Sequence, residues 1–240
     1  MSAPALLVGF AAEARVARLS GWRVAIGGGT TEGAARTAQR LIDAGATGIV
    51  SFGLAGGLDP TLPAGALIVA ESVAAYGRMW PTDSTLNNRL GGTTGHLCLG
   101  LDRVVASADE KLRLNQETGA SLVDMESGAV AVVAAAARVP FAVLRAICDP
   151  ADRALPPAAL VALDTAGRLA AARLVMSVLA RPEQVMALFG LARDAAAARR
   201  ALRARAMQIS PARPRPDRLV PDELLPDDIS SEDILSEGIP

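Results

Sequence analysis

The segment 123–152 constrains the fold of this chain more than any other. An apolar stretch ends in Asp124-Met125-Glu126, an alanine-rich helix is predicted from Ser127, and a second apolar strand, 141–148, ends in Asp149. The helix has about the length that a crossover between parallel strands requires. Ligands of open α/β sheets bind at the carboxyl ends of the strands. We therefore expect Glu126 and Asp149 to lie at one sheet edge and to face one small molecule.

Strand and helix signals alternate from residue 5 to about residue 180. This pattern predicts a single α/β domain of three layers around a mainly parallel or mixed central sheet. The predicted strands are 5–10, 22–27, 48–52, 66–75, 121–125 and 141–148, and the predicted helices are 31–44, 109–118, 127–139 and 158–179. The glycine-rich segment 53–57 is predicted to be a turn, and the polar segment 83–95 a loop or short hairpin.

The composition changes near residue 180, which divides the chain into a domain at 1–180, an extra helix at 181–207 and a tail at 208–240. The helix segment carries six arginines against Glu183 and Asp194. A basic amphipathic helix of this kind can lie on an anionic membrane surface; the alternative, which we favour slightly, is a helix packed on the domain with a solvated basic face. The tail is interrupted by prolines and is acidic, so we expect it to be disordered.

The overall charge and the cysteine content exclude several classes of protein. A formal net charge of −1 gives no reason to expect nucleic-acid binding. The two cysteines, Cys98 and Cys148, lack metal-type spacing and form no disulfide framework. The apolar run at residues 6–8 is too short for a secretory signal, and the run near 129–137 is too short for a membrane span. We expect a cytoplasmic protein, with peripheral membrane contact through 181–207 as the alternative, and no metal.

Three ordered segments carry a family resemblance. SFGLAGGLDP (51–60), VDMES (123–127) and LRAICDPAD (144–152) resemble the signature segments of the nucleoside phosphorylase and nucleosidase superfamily, and their order and spacing match from the N-terminus to about residue 180. Within this superfamily, GGGTTEGAAR (27–36), ICDPADRALPP (147–157) and the arginine-rich C-terminal helix resemble the hopanoid-associated phosphorylases, also called adenosylhopane nucleosidases.

This resemblance implies cleavage of the N-glycosidic bond between a purine and a ribose. The bond breaks through an oxocarbenium-like transition state. Asp149 aligns with the family's general acid, which protonates the purine at N7, and its apolar neighbours would raise its pKa for that role. Glu126 aligns with the acid that accepts hydrogen bonds from the ribose hydroxyls, and Met125 would pack against sugar and base. Ala55 and Gly56 would let the backbone approach the ligand closely.

Each of these residues also has a purely structural interpretation. An Asp that precedes a proline, as Asp149 does, is often a turn or cap residue. Glu126 could belong to ordinary helix-start chemistry, and Met125 could be a core residue. The solitary His96, in a polar Gly/Thr stretch, is predicted to be a loop residue rather than a base. The three motifs together favour the catalytic interpretation of Asp149 and Glu126.

The nucleophile is open between water and phosphate. In the family, water is activated by a glutamate after the first strand, and Glu13 follows the first predicted strand here, although its spacing from Gly9 is one residue shorter than in typical methylthioadenosine nucleosidases. Ser51 and Leu54 stand where bacterial purine phosphorylases usually place Arg and Ser, which favours hydrolysis. Inorganic phosphate is the one co-substrate that the resemblance allows, held by Arg15, Arg78 or the 27–30 nest, and no cofactor is expected.

The predicted substrate is a 5′-modified adenosine, and adenosylhopane, a lipid-linked nucleoside, is favoured. The alternatives are 5′-methylthioadenosine or S-adenosylhomocysteine, another purine nucleoside cleaved by a phosphorylase, and a nucleoside-binding module without catalysis. Adenine nucleosidases often place an aromatic residue that stacks on the base where this chain has Lys111, so contacts to the base must come from elsewhere. The resemblance also implies a homo-oligomer.

Overall fold

The structure, a computed structural model, describes residues 3–157 and 184–209. The first half of the chain contains β1 (Ala5–Val8), α1 (Ala11–Ala17), β2 (Arg23–Ile26), α2 (Thr31–Asp43), β3 (Ile49–Gly57), β4 (Leu67–Val69), β5 (Ser72–Ala75) and β6 (Arg78–Pro81). The second half contains α3 (Ser84–Arg89), β7 (Leu97–Gly100), α4 (Ala108–Thr118), β8 (Leu122–Asp124), α5 (Ser127–Ala136), β9 (Phe141–Asp149) and α6 (Gln184–Ile209). The predicted helix 158–179 and the tail from residue 210 lie outside the described residues.

The strands of the described residues form one mixed nine-stranded sheet, as the sequence pattern predicts. Its main path runs β2-β1-β3-β8-β7-β5-β6, and β9 pairs with β3 and β4. The long strand β3 is the hub, because it is parallel to β1 and to β9 and antiparallel to β8. The fold is therefore a single α/β domain with a mixed central sheet and an additional C-terminal helix.

Local sequence explains where the helices begin. The hydroxyl of Thr30 accepts a hydrogen bond from the N–H of Gly33, which caps α2, and Ser107 caps α4 through the N–H of Glu110. Asp83 caps α3 in the same way. Such side chains satisfy N–H groups that lack a partner within the helix.

Three local predictions are wrong. Residues 53–57 continue strand β3 rather than forming a turn, because they pair with both β8 and β9. The segment 66–75 is two strands rather than one, since β4 pairs with β9 and β5 pairs with β7. The predicted loop or short hairpin at 83–95 contains α3, and the four-residue strands β6 and β7 were not predicted.

Helix α6 packs on the domain with its C-terminal half. Ala198, Leu202, Ala206 and Ile209 are buried in one apolar cluster with residues of β1, β3 and β9. The arginines Arg199, Arg200 and Arg203 are exposed. The helix thus has a buried apolar face and a solvated basic face. None of the described helices combines the length and the hydropathy that crossing a membrane requires.

Candidate active site

The two acids of the 123–152 segment reach the site from different directions. β3 lies between β8 and β9, so these strands are not neighbours, and β8 runs antiparallel to β3 whereas β9 runs parallel to it. The prediction that Glu126 and Asp149 lie at one edge of the sheet, at the ends of two parallel strands, is therefore wrong. Both strands meet β3 at Gly56, which pairs with Val123 on one side and Asp149 on the other. Because β8 is antiparallel to β3, Glu126, two residues after β8, lies towards the N-terminal part of β3. Asp149 lies at the C-terminal end of β9.

Glu13 is buried at the start of α1, where three backbone N–H groups surround its carboxylate. Oε2 accepts hydrogen bonds from the N–H of Gly9 at 2.9 Å and of Phe10 at 3.0 Å, and Oε1 accepts one from Leu54 at 2.8 Å. Burial raises the pKa of Glu13, while Arg145 and the three N–H donors act in the opposite direction. The backbone therefore holds this carboxylate in one orientation.

Arg145 is the central cation of the site, and sequence reasoning missed it. Its Nη2 lies 2.9 Å from Glu126 Oε2, 2.6 Å from Asp124 Oδ2 and 2.6 Å from Ser51 Oγ. It is 1% exposed, in the middle of β9. A signal was available, because a charged residue inside an otherwise apolar strand is rarely buried without a partner.

Glu126 combines burial with several charged neighbours. Its pKa rises to about 7, chiefly because burial penalises the charged form; Arg145 opposes the rise, and Asp124 and Glu13 add to it. This carboxyl group therefore changes its protonation state near neutral pH. Ser127, which follows it, is buried and its hydroxyl donates to Asp124, so the loop after β8 is held by side chains as well as by the sheet.

Glu126 and Glu13 converge at the backbone of Gly9. A Cβ built on Gly9 would lie 2.7 Å from Glu126 Oε1 and 3.2 Å from Glu13 Oε2. A side chain at position 53 would likewise fall 2.7 Å from Arg145 Nη1 and even closer to Glu13 Oε1. The absence of side chains at these two glycines lets three charged groups from α1, the loop after β8 and β9 meet.

Asp149 forms a separate charged group with Lys111. The ammonium Nζ of Lys111 lies 2.6 Å from Asp149 Oδ2, and both side chains are buried. Burial raises the pKa of Asp149 from its ordinary value, and the hydrogen bond and charge of Lys111 oppose that rise. The upward shift of the Asp149 pKa agrees with the expectation from the sequence, which did not predict the contact with Lys111.

The remaining predicted residues lie around these groups. Gly56 is next to Asp149 in the sheet, and a Cβ there would be 3.9 Å from Asp149 Oδ2. Ala55 is buried in the core, so its side chain packs rather than leaving an open turn. Met125 is half-buried, and its carbonyl accepts a hydrogen bond from Thr31 Oγ1 at 3.2 Å. His96 contacts Ser121 Oγ at 2.9 Å, in the loop before β7.

The anion-binding candidates are engaged elsewhere or exposed. The N–H groups of Gly27 and Gly28 donate to the carbonyls of Val8 and Gly9, which uses two donors of the proposed nest. The guanidinium of Arg78 stacks over Trp80 at 4.7 Å. Within residues 3–157 and 184–209, no group of three or more His, Cys, Asp or Glu side chains has the arrangement of a metal site.

Comparison with known proteins agrees with this fold. Residues 96–180 match the family model of the Phosphorylase superfamily. A futalosine hydrolase of Helicobacter pylori strain 26695 superposes with a TM-score of 0.61 and 19% identity, covering 85% of this chain and 97% of its own. A comparison with curated protein sequences found no match.

Two 5′-methylthioadenosine/S-adenosylhomocysteine nucleosidases are similar to the same extent. The enzyme of Neisseria meningitidis, in complex with methylthio-immucillin-A, has a TM-score of 0.61 and 17% identity, covering 86% of this chain and 98% of its own. The enzyme of Helicobacter pylori, with butyl-thio-DADMe-Immucillin-A, has a TM-score of 0.59 and 20% identity, covering 85% and 97%. The chain thus has the fold of the nucleosidases, and its segment 96–180 has the sequence pattern of the Phosphorylase superfamily.

Proposed function

We propose that this protein cleaves the N-glycosidic bond of a 5′-modified adenosine and releases adenine. The observation that carries the proposal is the meeting of Glu13 and Glu126 at Gly9, with Asp149 held at the end of the adjoining strand β9. These are three buried carboxyl groups, and the pKa of each is raised by burial. Perturbed carboxyl groups of this kind are typical of sites that transfer protons.

The three acids have distinct roles in the proposed reaction. Asp149 donates a proton to N7 of the purine as the C1′–N9 bond breaks, so that the base leaves as a neutral molecule. Glu126 accepts hydrogen bonds from the ribose hydroxyls, and its contact with Arg145 orients it for that role. Glu13 takes a proton from the water whose oxygen bonds to C1′. Met125, Ala55 and Gly56 complete the substrate site in this proposal.

Charge favours water over phosphate as the nucleophile. Among residues 3–157 and 184–209, Glu13, Asp124 and Glu126 are gathered around one guanidinium, that of Arg145, whose Nη2 already contacts Asp124 and Glu126. A phosphate dianion would add negative charge to a cluster that is already acidic, and unlike water it would need a further cation. Arg15 and Arg78, which the sequence suggested as phosphate ligands, are exposed. We therefore propose hydrolysis without a cofactor.

Adenosylhopane is the substrate that we propose, in hopanoid side-chain synthesis. Support comes from the resemblance of 27–36, 147–157 and the C-terminal helix to the hopanoid-associated group, together with the exposed arginines Arg199, Arg200 and Arg203 on α6. A lipid-linked nucleoside stays in a membrane, and a basic helix face attracts a protein to anionic lipid. In this proposal the protein is cytoplasmic, contacts the membrane peripherally and forms a homo-oligomer.

Product analysis tests the nucleophile. The purified protein is incubated with adenosylhopane in the presence and absence of phosphate, and the ribosyl product is identified by mass spectrometry. We expect free adenine and an unphosphorylated ribosyl product in both conditions. A ribosyl 1-phosphate formed only when phosphate is present would replace hydrolysis by phosphorolysis, and no adenine in either condition would overturn the proposed function.

A further inference from the structure

Lys111 is the one lysine of the chain, in which the other 23 of the 24 basic residues are arginines. It lies on α4 and its side chain is completely buried. Burying an ammonium group is costly unless it is paired and hydrogen-bonded. We therefore expect specific contacts that hold the ammonium group of Lys111 in place and that account for a lysine at this position.

Those contacts use all three protons of the ammonium group. Nζ donates to Asp149 Oδ2 at 2.6 Å, to the carbonyl of Pro150 at 3.0 Å and to the carbonyl of Arg153 at 2.8 Å. Three donors meet three acceptors, all within the segment 149–153, so the ammonium cannot turn away from the carboxylate without giving up these hydrogen bonds. Lysine fits this tripod because its ammonium is a compact charge with three donors, whereas arginine presents a planar fork.

We propose that Lys111 is a positioning residue that sets the acid strength of Asp149; this inference rests on the proposed function. The ammonium engages Oδ2, which directs the other oxygen, Oδ1, to the leaving base. When the O–H bond of Asp149 breaks and the N7–H bond forms, the new carboxylate is stabilised by Lys111. The lysine therefore makes Asp149 a better proton donor than burial alone would allow.

The other charged groups around Asp149 are few among the described residues. Arg153, on the segment after β9, favours the carboxylate, and Asp194, on α6, disfavours it. Arg153 and Asp194 form an ion pair with each other, so their effects on Asp149 oppose each other. Cys148 is the neighbouring group on β9 itself, and burial and the charge of Asp149 raise its pKa to about 12, so it is a neutral thiol near neutral pH. Lys111 is the cation in direct contact.

A single lysine allows a direct spectroscopic test. Protein grown with lysine labelled with ¹³C at Cε gives one side-chain resonance, which is followed as the pH is raised from acid to alkaline values. We expect a step in its chemical shift as Asp149 titrates, and we expect that step to vanish in Asp149→Asn. A step that persists unchanged in Asp149→Asn, or no step in the wild-type protein, would overturn the proposal whether or not the protein cleaves nucleosides.

Kinetics of Lys111→Met supply the second test. Because an opposite charge in contact lowers a carboxyl pKa by about 1–3 units, the loss of activity at high pH should shift upward by at least about one pH unit in Lys111→Met. The maximal rate for an adenine nucleoside should fall by a factor on the order of 10². With 4-nitrophenyl β-D-ribofuranoside, whose leaving group needs no proton, the variant should match the wild-type protein.

The outcomes separate the two proposals. Equal losses on both substrates, or an unshifted pH profile, would show that Lys111 is only structural and would overturn the inference while leaving the proposed function intact. A wild-type protein that cleaves no nucleoside would overturn the proposed function, and the lysine resonance would still decide whether Lys111 responds to Asp149. Circular dichroism and the unfolding midpoint of Lys111→Met establish that the variant is folded.

Discussion

Charged side chains buried within one domain define this protein at the scale of single residues. Arg145 is surrounded by Glu13, Asp124 and Glu126, and Asp149 is paired with Lys111. Buried ion pairs are weak evidence for stability, because the cost of removing two charges from water can exceed their attraction. The proposed reaction gives these charges a role, since burial raises the pKa of Glu13, Glu126 and Asp149, as is typical of active sites.

Replacing Asp149 tests the assignment of the general acid. Asp149→Asn keeps the size of the side chain but cannot supply the proton, so kcat should fall by a factor on the order of 10²–10⁴. His96→Ala is the control, because His96 contacts Ser121 in the loop before β7 and is not among the charged groups around Asp149 or Arg145. Steady-state adenine release measures both variants. A larger loss of kcat in His96→Ala than in Asp149→Asn would contradict the assignment of Asp149 as the general acid.

The raised pKa of Glu126 makes a prediction about stability. A carboxyl group whose pKa is higher in the folded than in the unfolded protein contributes stability below its unfolded value, about 4.3, and loses that contribution as pH rises through the folded value, about 7. The free energy of unfolding should therefore decline between those values. In Glu126→Gln the decline should be smaller, as urea unfolding at a series of pH values would show. An unchanged slope would mean that Glu126 does not titrate in this window.

Strand β3 dominates at the scale of the elements, because it pairs with β1, β8 and β9 and passes through the site. The strand and helix pattern of the sequence predicted most elements, since each has the apolar periodicity of its type. It did not predict that residues 53–57 are strand, because glycine is unfavourable in strands and typical of turns. Nor did it predict that β8 is antiparallel to β9, since strand order depends on pairing between distant residues.

The pairing of β3 explains why the site could be predicted only in part. Glu13, Glu126 and Asp149 each come at or after the end of a predicted strand, and Glu126 and Asp149 also lie in family motifs, so their positions in the sequence made them candidates. Arg145 and Lys111 became recognisable only once the fold placed them against those acids. A charged residue in an apolar strand indicates that a partner exists, but its identity depends on tertiary contacts.

Gly53→Ala tests the close approach of strand β3 to the side chains of Glu13 and Arg145. The added methyl group would fall within 2.7 Å of Arg145 Nη1 and still closer to Glu13, so one of the two must move. Since a displacement of about 1 Å can cost a factor on the order of 10² in rate, we expect a loss of that size. Gly190→Ala, in α6, is the control: its added Cβ would lie 3.4 Å from Arg153 Nη1, an ordinary van der Waals contact, so this variant should retain full activity. Equal activity in both variants would contradict the geometry of the cluster.

Helix α6 is part of the domain at the scale of the whole molecule. Its buried residues share an apolar cluster with β1, β3 and β9. Its side chain Asp194 pairs with Arg153, whose carbonyl accepts a hydrogen bond from Lys111. The helix that the sequence marked as an appended basic segment therefore contacts the segment that follows Asp149. The arginines Arg199, Arg200 and Arg203 of this helix are exposed, while its apolar face packs against the domain.

Leu202→Ala tests whether α6 is integral. Leu202 is 1% exposed, and truncating a buried leucine to alanine costs about 2–5 kcal/mol. Met207→Ala, at a residue on the same helix that is 52% exposed, should change stability by less than about 0.5 kcal/mol. Urea unfolding monitored by circular dichroism compares the two variants. An unchanged unfolding midpoint in Leu202→Ala would show that the helix is not part of the cooperative unit.

Measuring adenine release tests whether this protein cleaves a lipid-linked adenosine. Purified protein is given adenosylhopane in anionic vesicles and, in parallel, 5′-methylthioadenosine in solution, and free adenine is quantified by chromatography, with Asp149→Asn as the inactive control. We expect adenine from adenosylhopane at a rate well above that from methylthioadenosine, and almost none from the variant. Faster release from methylthioadenosine would replace the lipid-linked substrate by a soluble one. No adenine from either nucleoside would contradict the proposed function.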